Sequence, residues 1–167
     1  MNEPAGVAAW IGLGGNLDDP RAHLMAAFAD LAALPVTQLI QTSALYQSAP
    51  WGGIEQPVFV NAVARLQTQL APRELLEGLL EIERRHGRVR DGQRWGPRTL
   101  DLDLLMHGES IIHEDGLEVP HPQLAQRAFV LVPLAQIAPQ WRVPGAGTVA
   151  ELLARVDASQ CVPLDSA

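Results

Sequence analysis

The chain contains no lysine; all 12 of its basic residues are arginine. A Walker-type phosphate loop, a Schiff-base centre and a pyridoxal-phosphate centre each depend on a lysine side chain, so all three are excluded. Any phosphate handling must rest on arginine, backbone amides and metal ions. Cysteine is almost missing too. Cys161 has no partner for an internal disulfide and falls in a polar tail, where it is expected to be incidental. No apolar run approaches the roughly 20 residues that span a bilayer. The first residues, with Glu3 and no basic cluster, do not read as a secretory leader. A cytoplasmic protein with no membrane partner is the expectation. A broad positive face is also lacking, because the net charge is −7. That balance argues against a general binder of nucleic acid, which needs such a face to attract a phosphate backbone.

What the chain does have is one sharply local positive charge. Residues 84 to 98 carry six arginines against the single Asp91, a local charge of +5 in an acidic protein. Arg84 and Arg85 fit the C-terminal dipole of their own helix. Arg88, Arg90, Arg94 and Arg98 lie beyond Gly87, where helix electrostatics offers no explanation. Arginine presents a planar fork matched to phosphate oxygens. Asp101 and Asp103 follow at once, and two carboxylates together suit a hard cation such as Mg2+. Nucleotide-dependent phosphoryl chemistry is the first hypothesis.

At 167 residues, 47% hydrophobic and 19% charged, the chain fits a single domain. Its core is expected over about 7–157, with 158–167 as a loosely ordered tail. The 13 prolines and 14 glycines predict long or sharply turned loops. Val7 to Leu13 reads as a buried strand that leaves through a turn at Gly14, Gly15 and Asn16. A helix follows, capped by Asp18 or Asp19, opened by Pro20 and closed before Pro35. Thr37 to Tyr46 reads as a strand, Ser48 to Pro57 as a long functional loop, and Phe59 to Thr68 as a second long strand. Pro72 to His86 carries the clearest helical pattern, with Leu75, Leu79 and Ile82 on one face and Gly87 to stop it.

Leu100 to Met106 alternates apolar and acidic residues. As a strand it puts Leu100, Leu102 and Leu104 on the core face, and Asp101 with Asp103 together on the other. Further on, Glu118 to Pro122 reads as extended, Gln123 to Ile137 as partly helical and interrupted by Pro133, and Val149 to Val156 as a short helix. The order strand, helix, strand, strand, helix, strand predicts an α+β, ferredoxin-like fold. Its antiparallel sheet carries helices on one face, extra helical elements follow at the C-terminus, and the other face is left for ligands.

Several residues have a bland reading beside a functional one. Asp-x-Asp on a strand is often just a polar face; its position directly after the arginine loop favours metal. His121 sits between prolines that fix its direction, so it is either a structural histidine or a phosphate donor. His23, His86, His107 and His113 show no ligand spacing. Asn61 is a polar intruder in an apolar strand, serving either a bulge or the edge of a heteroaromatic ligand. Phe59 and Phe129 are core residues, or else a pair stacked about a flat ring.

WGPRTLDLDLL, GLGGN, FVNAV and VPHPQL together resemble the 6-hydroxymethyl-7,8-dihydropterin pyrophosphokinases of folate biosynthesis, over about Val7 to Thr148. The resemblance implies a monomeric cytoplasmic enzyme that moves the pyrophosphoryl group of ATP onto the pterin hydroxymethyl oxygen, leaving AMP. By position it implies that Asp101 and Asp103 hold two Mg2+ ions and that Arg88 and Arg98 grip phosphate as catalytic groups. It implies that Arg90 and Trp95 close on ATP and that His121 and Arg127 meet phosphate, with Glu83 and Leu104 near the nucleotide. For the pterin it implies Ser48, Ala49 and Trp51 at the border, Asn61 at the polar edge, and Phe59 with Phe129 about the ring. Asp91, Gly116 and Pro122 depart from several relatives, which bears on ATP affinity. Two alternatives stay open on the residues alone. One is a noncatalytic ferredoxin-like RNA-binding module, the other an Mg-ATP-dependent transferase with a different acceptor.

Overall fold

The computed structural model describes residues 6–16, 19–48, 59–87 and 99–164. In chain order, β1 (Val7–Gly15) leads to α1 (Pro20–Ala32), then β2 (Thr37–Thr42), β3 (Tyr46–Ser48) and β4 (Phe59–Thr68). Next come α2 (Pro72–Arg85), β5 (Asp101–His107), β6 (Ile112–Glu114) and β7 (Leu117–Val119). A 3-10 turn at Leu124–Gln126 precedes α3 (Ala128–Ile137), β8 (Arg142–Val143), β9 (Gly147–Thr148), α4 (Val149–Leu153) and β10 (Val162–Pro163).

The main sheet runs β10-β3-β4-β1-β5, with β2 also on β4, and all its pairings are antiparallel. With β2 and β3 taken as one interrupted strand, this is the ferredoxin-like order that the sequence predicts. Helix α1 starts as expected: Pro20 opens it and the Asp19 side chain accepts from the amide of Ala22 at 3.3 Å. In α2 the Glu74 carboxyl accepts from the amide of Ala71 at 2.8 Å, and Gly87, at φ +85°, ends the helix. Both helices lie on one face. Leu24, Phe28 and Leu31 of α1 and Leu75, Leu79 and Ile82 of α2 bury against Ile11, Leu13, Ala62, Leu66 and Leu102.

The opposite face is only partly free, which corrects the expectation of an open ligand face. A second core gathers Trp10, Val63, Leu105 and Met106 of the sheet under Val130, Leu131 and Leu134 of α3 and Val149 and Leu152 of α4. Trp10 meets Trp141 edge to face at 5.1 Å, and the Arg65 guanidinium stands 5.4 Å from both rings. This layer covers the Trp10 end of the sheet and leaves the Gly14 end uncovered.

Other expectations change in detail. The strand read as Thr37 to Tyr46 breaks at 43–45. There the Ser43 hydroxyl accepts from the amide of Val63 at 2.9 Å, and Gln136 of α3 accepts from the Ala44 amide at 2.9 Å and the Tyr46 hydroxyl at 2.8 Å. Ser48 closes β3 rather than opening a loop, and β1 runs on through Gly15 instead of turning at Gly14. Pro133 lies inside α3 without interrupting it, and α4 stops at Leu153 rather than Val156. Within the segment read as a loose tail, residues 158–164 are described: Val162 and Pro163 pair with β3, and Cys161 is buried. Burial pushes its thiol up to about 11, so it stays protonated at neutral pH. Among the described residues no helix is long and apolar enough to cross a membrane.

Candidate active site

Three strands bring the site together at the uncovered end of the sheet. In register, Asn61 of β4, Gly14 of β1 and Asp101 of β5 form one row, and Val63, Gly12 and Asp103 the next. Adjacent strands lie about 4.8 Å apart, so the two glycines leave a bare floor about 10 Å wide between β4 and β5. A side chain at Gly14 would crowd this floor: a Cβ there would stand 2.9 Å from the Asn61 amide nitrogen and force that side chain to shift. Over this floor lies a cavity of about 490 Å3.

The β5 side of the cavity is acidic. Asp101 and Asp103 share the face turned away from Leu102, as the alternation of β5 requires, and both line the cavity. The Asp103 carboxylate meets Arg127 at 3.6 Å and lies 3.9 Å from the His121 ring. Arg127 also hydrogen-bonds Gln123 and lies 5.4 Å from the Phe129 ring, so three neighbours fix its guanidinium. Behind the pair, Glu83 of α2 is buried and accepts from the Leu102 amide at 2.7 Å. Leu102 is the residue between the two aspartates, so a carboxyl of α2 holds the strand that presents them.

His121 is reached through the amide it donates to the carbonyl of Leu105 at 2.9 Å, which ties this segment to β5. Its Nδ1 accepts from the amide of Gln123 at 3.1 Å, which assigns the proton of the neutral ring to Nε2, the atom facing Asp103. Burial, followed by the positive charge of Arg127, lowers its pKa to about 4 against a smaller upward pull from Asp101. At neutral pH the ring is therefore an uncharged donor. The folded state resists the proton that an unfolded histidine accepts near pH 6.5, so this residue costs stability as pH falls from 6.5 towards 4. In metal-free protein, His121→Asn is expected to narrow the fall in melting temperature between pH 7 and pH 4.5; equal falls in both proteins contradict the assignment.

The β4 side carries an amide, Asn61, in place of the carboxylates. Asn61 is buried in the strand, and its Oδ1 accepts from the Ser48 hydroxyl at 2.7 Å, so β3 fixes its orientation. Phe59 and Phe129 line the same cavity from β4 and α3. Beyond β5 the cavity continues between α2 and the β6–β7 hairpin, where Leu76, Leu80, Leu104, Gly116, Leu117 and Glu118 line it. Sequence reasoning did not single out Leu76, Leu80, Leu117 or Glu118. Apolar positions on an amphipathic helix read as core, and no local pattern marks the exception.

Of the site residues expected from the sequence, the structure gathers Ser48, Phe59, Asn61, Glu83, Asp101, Asp103, Leu104, His121, Arg127 and Phe129 around one cavity. Ala49, Trp51, Arg88, Arg90, Trp95 and Arg98 lie outside the described residues. Among the described residues no group of three or more histidine, cysteine or acidic side chains forms a metal cage. Two carboxylates at the rim of an open cavity suit Mg2+ nonetheless, because that ion is bound by one or two carboxylates with the remaining positions left to water and substrate phosphates.

Residues 10–139 match the family described as 7,8-dihydro-6-hydroxymethylpterin-pyrophosphokinase. The chain is 50% identical over 145 residues to a Pseudomonas aeruginosa 2-amino-4-hydroxy-6-hydroxymethyldihydropteridine pyrophosphokinase, covering 87% of this chain and 89% of the relative. A Haemophilus influenzae protein of the same name is 44% identical over 147 residues, covering 88% and 91%. Among solved structures, wild-type Plasmodium falciparum HPPK-DHPS with pteroate superposes with a TM-score of 0.70 at 14% identity. That match covers 93% of this chain and 43% of the longer one, and at this identity it speaks to the fold alone.

Proposed function

The chain belongs to the 7,8-dihydro-6-hydroxymethylpterin-pyrophosphokinase family, and from that premise we propose how its cavity divides the work between two substrates. The enzyme transfers a pyrophosphoryl group from ATP to hydroxymethyldihydropterin in folate biosynthesis. We assign the pterin to the β4 side. There Asn61, oriented by Ser48, reads the polar edge of the ring, and Phe59 and Phe129 flank its faces. The bare strand at Gly14 lets a flat ring approach the backbone. The nucleotide takes the opposite end, with its base between Leu76, Leu80 and Leu117 and its triphosphate across β5.

Asp101 and Asp103 would hold Mg2+, two ions on the family pattern. Bound there, the metal supplies positive charge for the phosphate oxygens and lowers the pKa of the pterin hydroxyl. The chain's own groups do the rest. Arg127 offers a fixed guanidinium to the transferred oxygens, and neutral His121 offers its Nε2–H without adding charge. The pterin oxygen bonds to the β-phosphorus as the bond from that phosphorus to the α-phosphate oxygen breaks, AMP departs, and the hydroxyl proton is released. Arg88 and Arg98 complete the phosphate grip in this proposal, and Arg90, Trp95, Ala49 and Trp51 border the two substrates. The enzyme is taken as a single-domain monomer working on small molecules.

The observation that carries the assignment is the shared row of Asn61, Gly14 and Asp101, which sets a ring-edge reader beside a metal carboxylate within one cavity. Incubation with MgATP and the reduced pterin should give AMP and the pterin diphosphate in equal amounts. Production of ADP, or of free pyrophosphate without pterin diphosphate, contradicts the proposal.

A further inference from the structure

The β6–β7 hairpin forms one wall of the nucleotide end, yet among the described residues it pairs only with itself and forms no ladder with the main sheet. Its inner side is anchored by buried Leu117 and Val119. Its tip, Glu114, Asp115 and Gly116, is exposed and turns at Gly116 with φ +76°. Arg73, in the first turn of α2, reaches across to that tip. Its Nη1 and Nη2 each donate to the carbonyl of Asp115 at 3.2 Å, and Nη2 also donates to the Glu114 carboxylate at 3.0 Å. Arg73, Leu76 and Leu80 stand three and seven residues apart and so share one stripe of the helix. The same helical face therefore carries one wall of the cavity end and the tie that fixes the facing wall. No side chain at Gly116 intervenes: a Cβ there would stand 3.8 Å from Arg73 Nη1.

We propose that Arg73 is a positioning residue for the nucleotide, setting the gap between α2 and the hairpin into which the base fits. This rests on the assignment of the nucleotide to that end. The pair of Arg73 and Glu114 is half exposed, and exposed ion pairs contribute little to global stability. The effect belongs in local order and in affinity for one substrate. Lysine is no equivalent here, because it cannot place two donors on one carbonyl in a fixed plane.

The test compares wild type, Arg73→Ala and Arg73→Lys. Hydrogen exchange in ligand-free enzyme should quicken over residues 112–119 in Arg73→Ala, with a melting temperature close to wild type. The Kd and KM for ATP should rise about fivefold, the shift expected from about 1 kcal/mol of lost positioning. The kcat and the KM for the pterin should stay within about twofold, and Arg73→Lys should fall between the two. Unchanged exchange in the hairpin overturns the tie whatever the nucleotide does. Faster exchange with unchanged ATP affinity overturns the nucleotide role, as does a parallel rise in both KM values. Wild-type enzyme that binds ATP without forming AMP refutes the assigned reaction instead, leaving the tie and its effect on ATP binding to be judged by the first two measurements.

Discussion

Asp103→Ala is expected to cut kcat by about a hundredfold to a thousandfold, the range seen when one preorganised electrostatic group is removed at a transition state, while pterin affinity changes by less than about threefold. The two readouts separate because of where the residues sit. Asp103 lies on β5, paired with Gly12, whereas the assigned pterin contacts belong to β4 and α3 on the far side of that bare strand. Removing the carboxylate takes away half of the acidic pair and leaves Arg127 and His121 facing each other without the anion between them. Arg127 then loses its carboxylate partner and stays free to meet triphosphate, so ATP binding should survive better than turnover. Asp103→Asn, nearly the same size but uncharged, should fail almost as badly, which would show that charge rather than space is at stake. An alanine variant that turns over at the wild-type rate with an unaltered Mg2+ requirement would refute the assignment.

Glu83→Ala should act through a different route and be felt first in stability. Glu83 is 2% exposed and its carboxyl accepts a hydrogen bond from the amide of Leu102 at 2.7 Å. A buried amide deprived of its acceptor costs about 1–3 kcal/mol. In a chain of this length that corresponds to a melting temperature about 2–12 °C lower. Glu83→Gln keeps an oxygen in reach and should lose much less. Leu102 sits between Asp101 and Asp103, so the alanine variant should also need more Mg2+ for half-maximal rate. Wild-type melting combined with an unchanged Mg2+ titration would show that the strand does not depend on this contact.

The parts of the molecule legible in the sequence are those whose chemistry is local. The alternation in β5 shows which face takes Asp101 and Asp103, because a strand with one buried face admits only one register. The apolar stripe, opening proline and terminal glycine of α2 are likewise set within the sixteen residues from Pro72 to Gly87. Asn61 stands out because a polar group in an apolar strand needs a partner, and Ser48 supplies it. What the sequence hides depends on distant partners. The break at 43–45 follows from Val63 and Gln136, the latter more than ninety residues along the chain from Ala44. The second core could not be foreseen from apolar alternation in β1 and β4, which does not say what will cover each face. Leu76 and Leu80 escaped for a related reason: a leucine lining a cavity and a leucine filling a core follow the same helical spacing.

The cap over Trp10 has a practical consequence for anyone shortening this chain. The match to the family described above ends at residue 139, yet Trp141, Val143, Val149 and Leu152 roof the same sheet that supplies the cavity floor. A boundary drawn by similarity alone would strip that roof and bare an indole, so the smallest workable fragment has to be chosen by what shields the sheet rather than by what aligns.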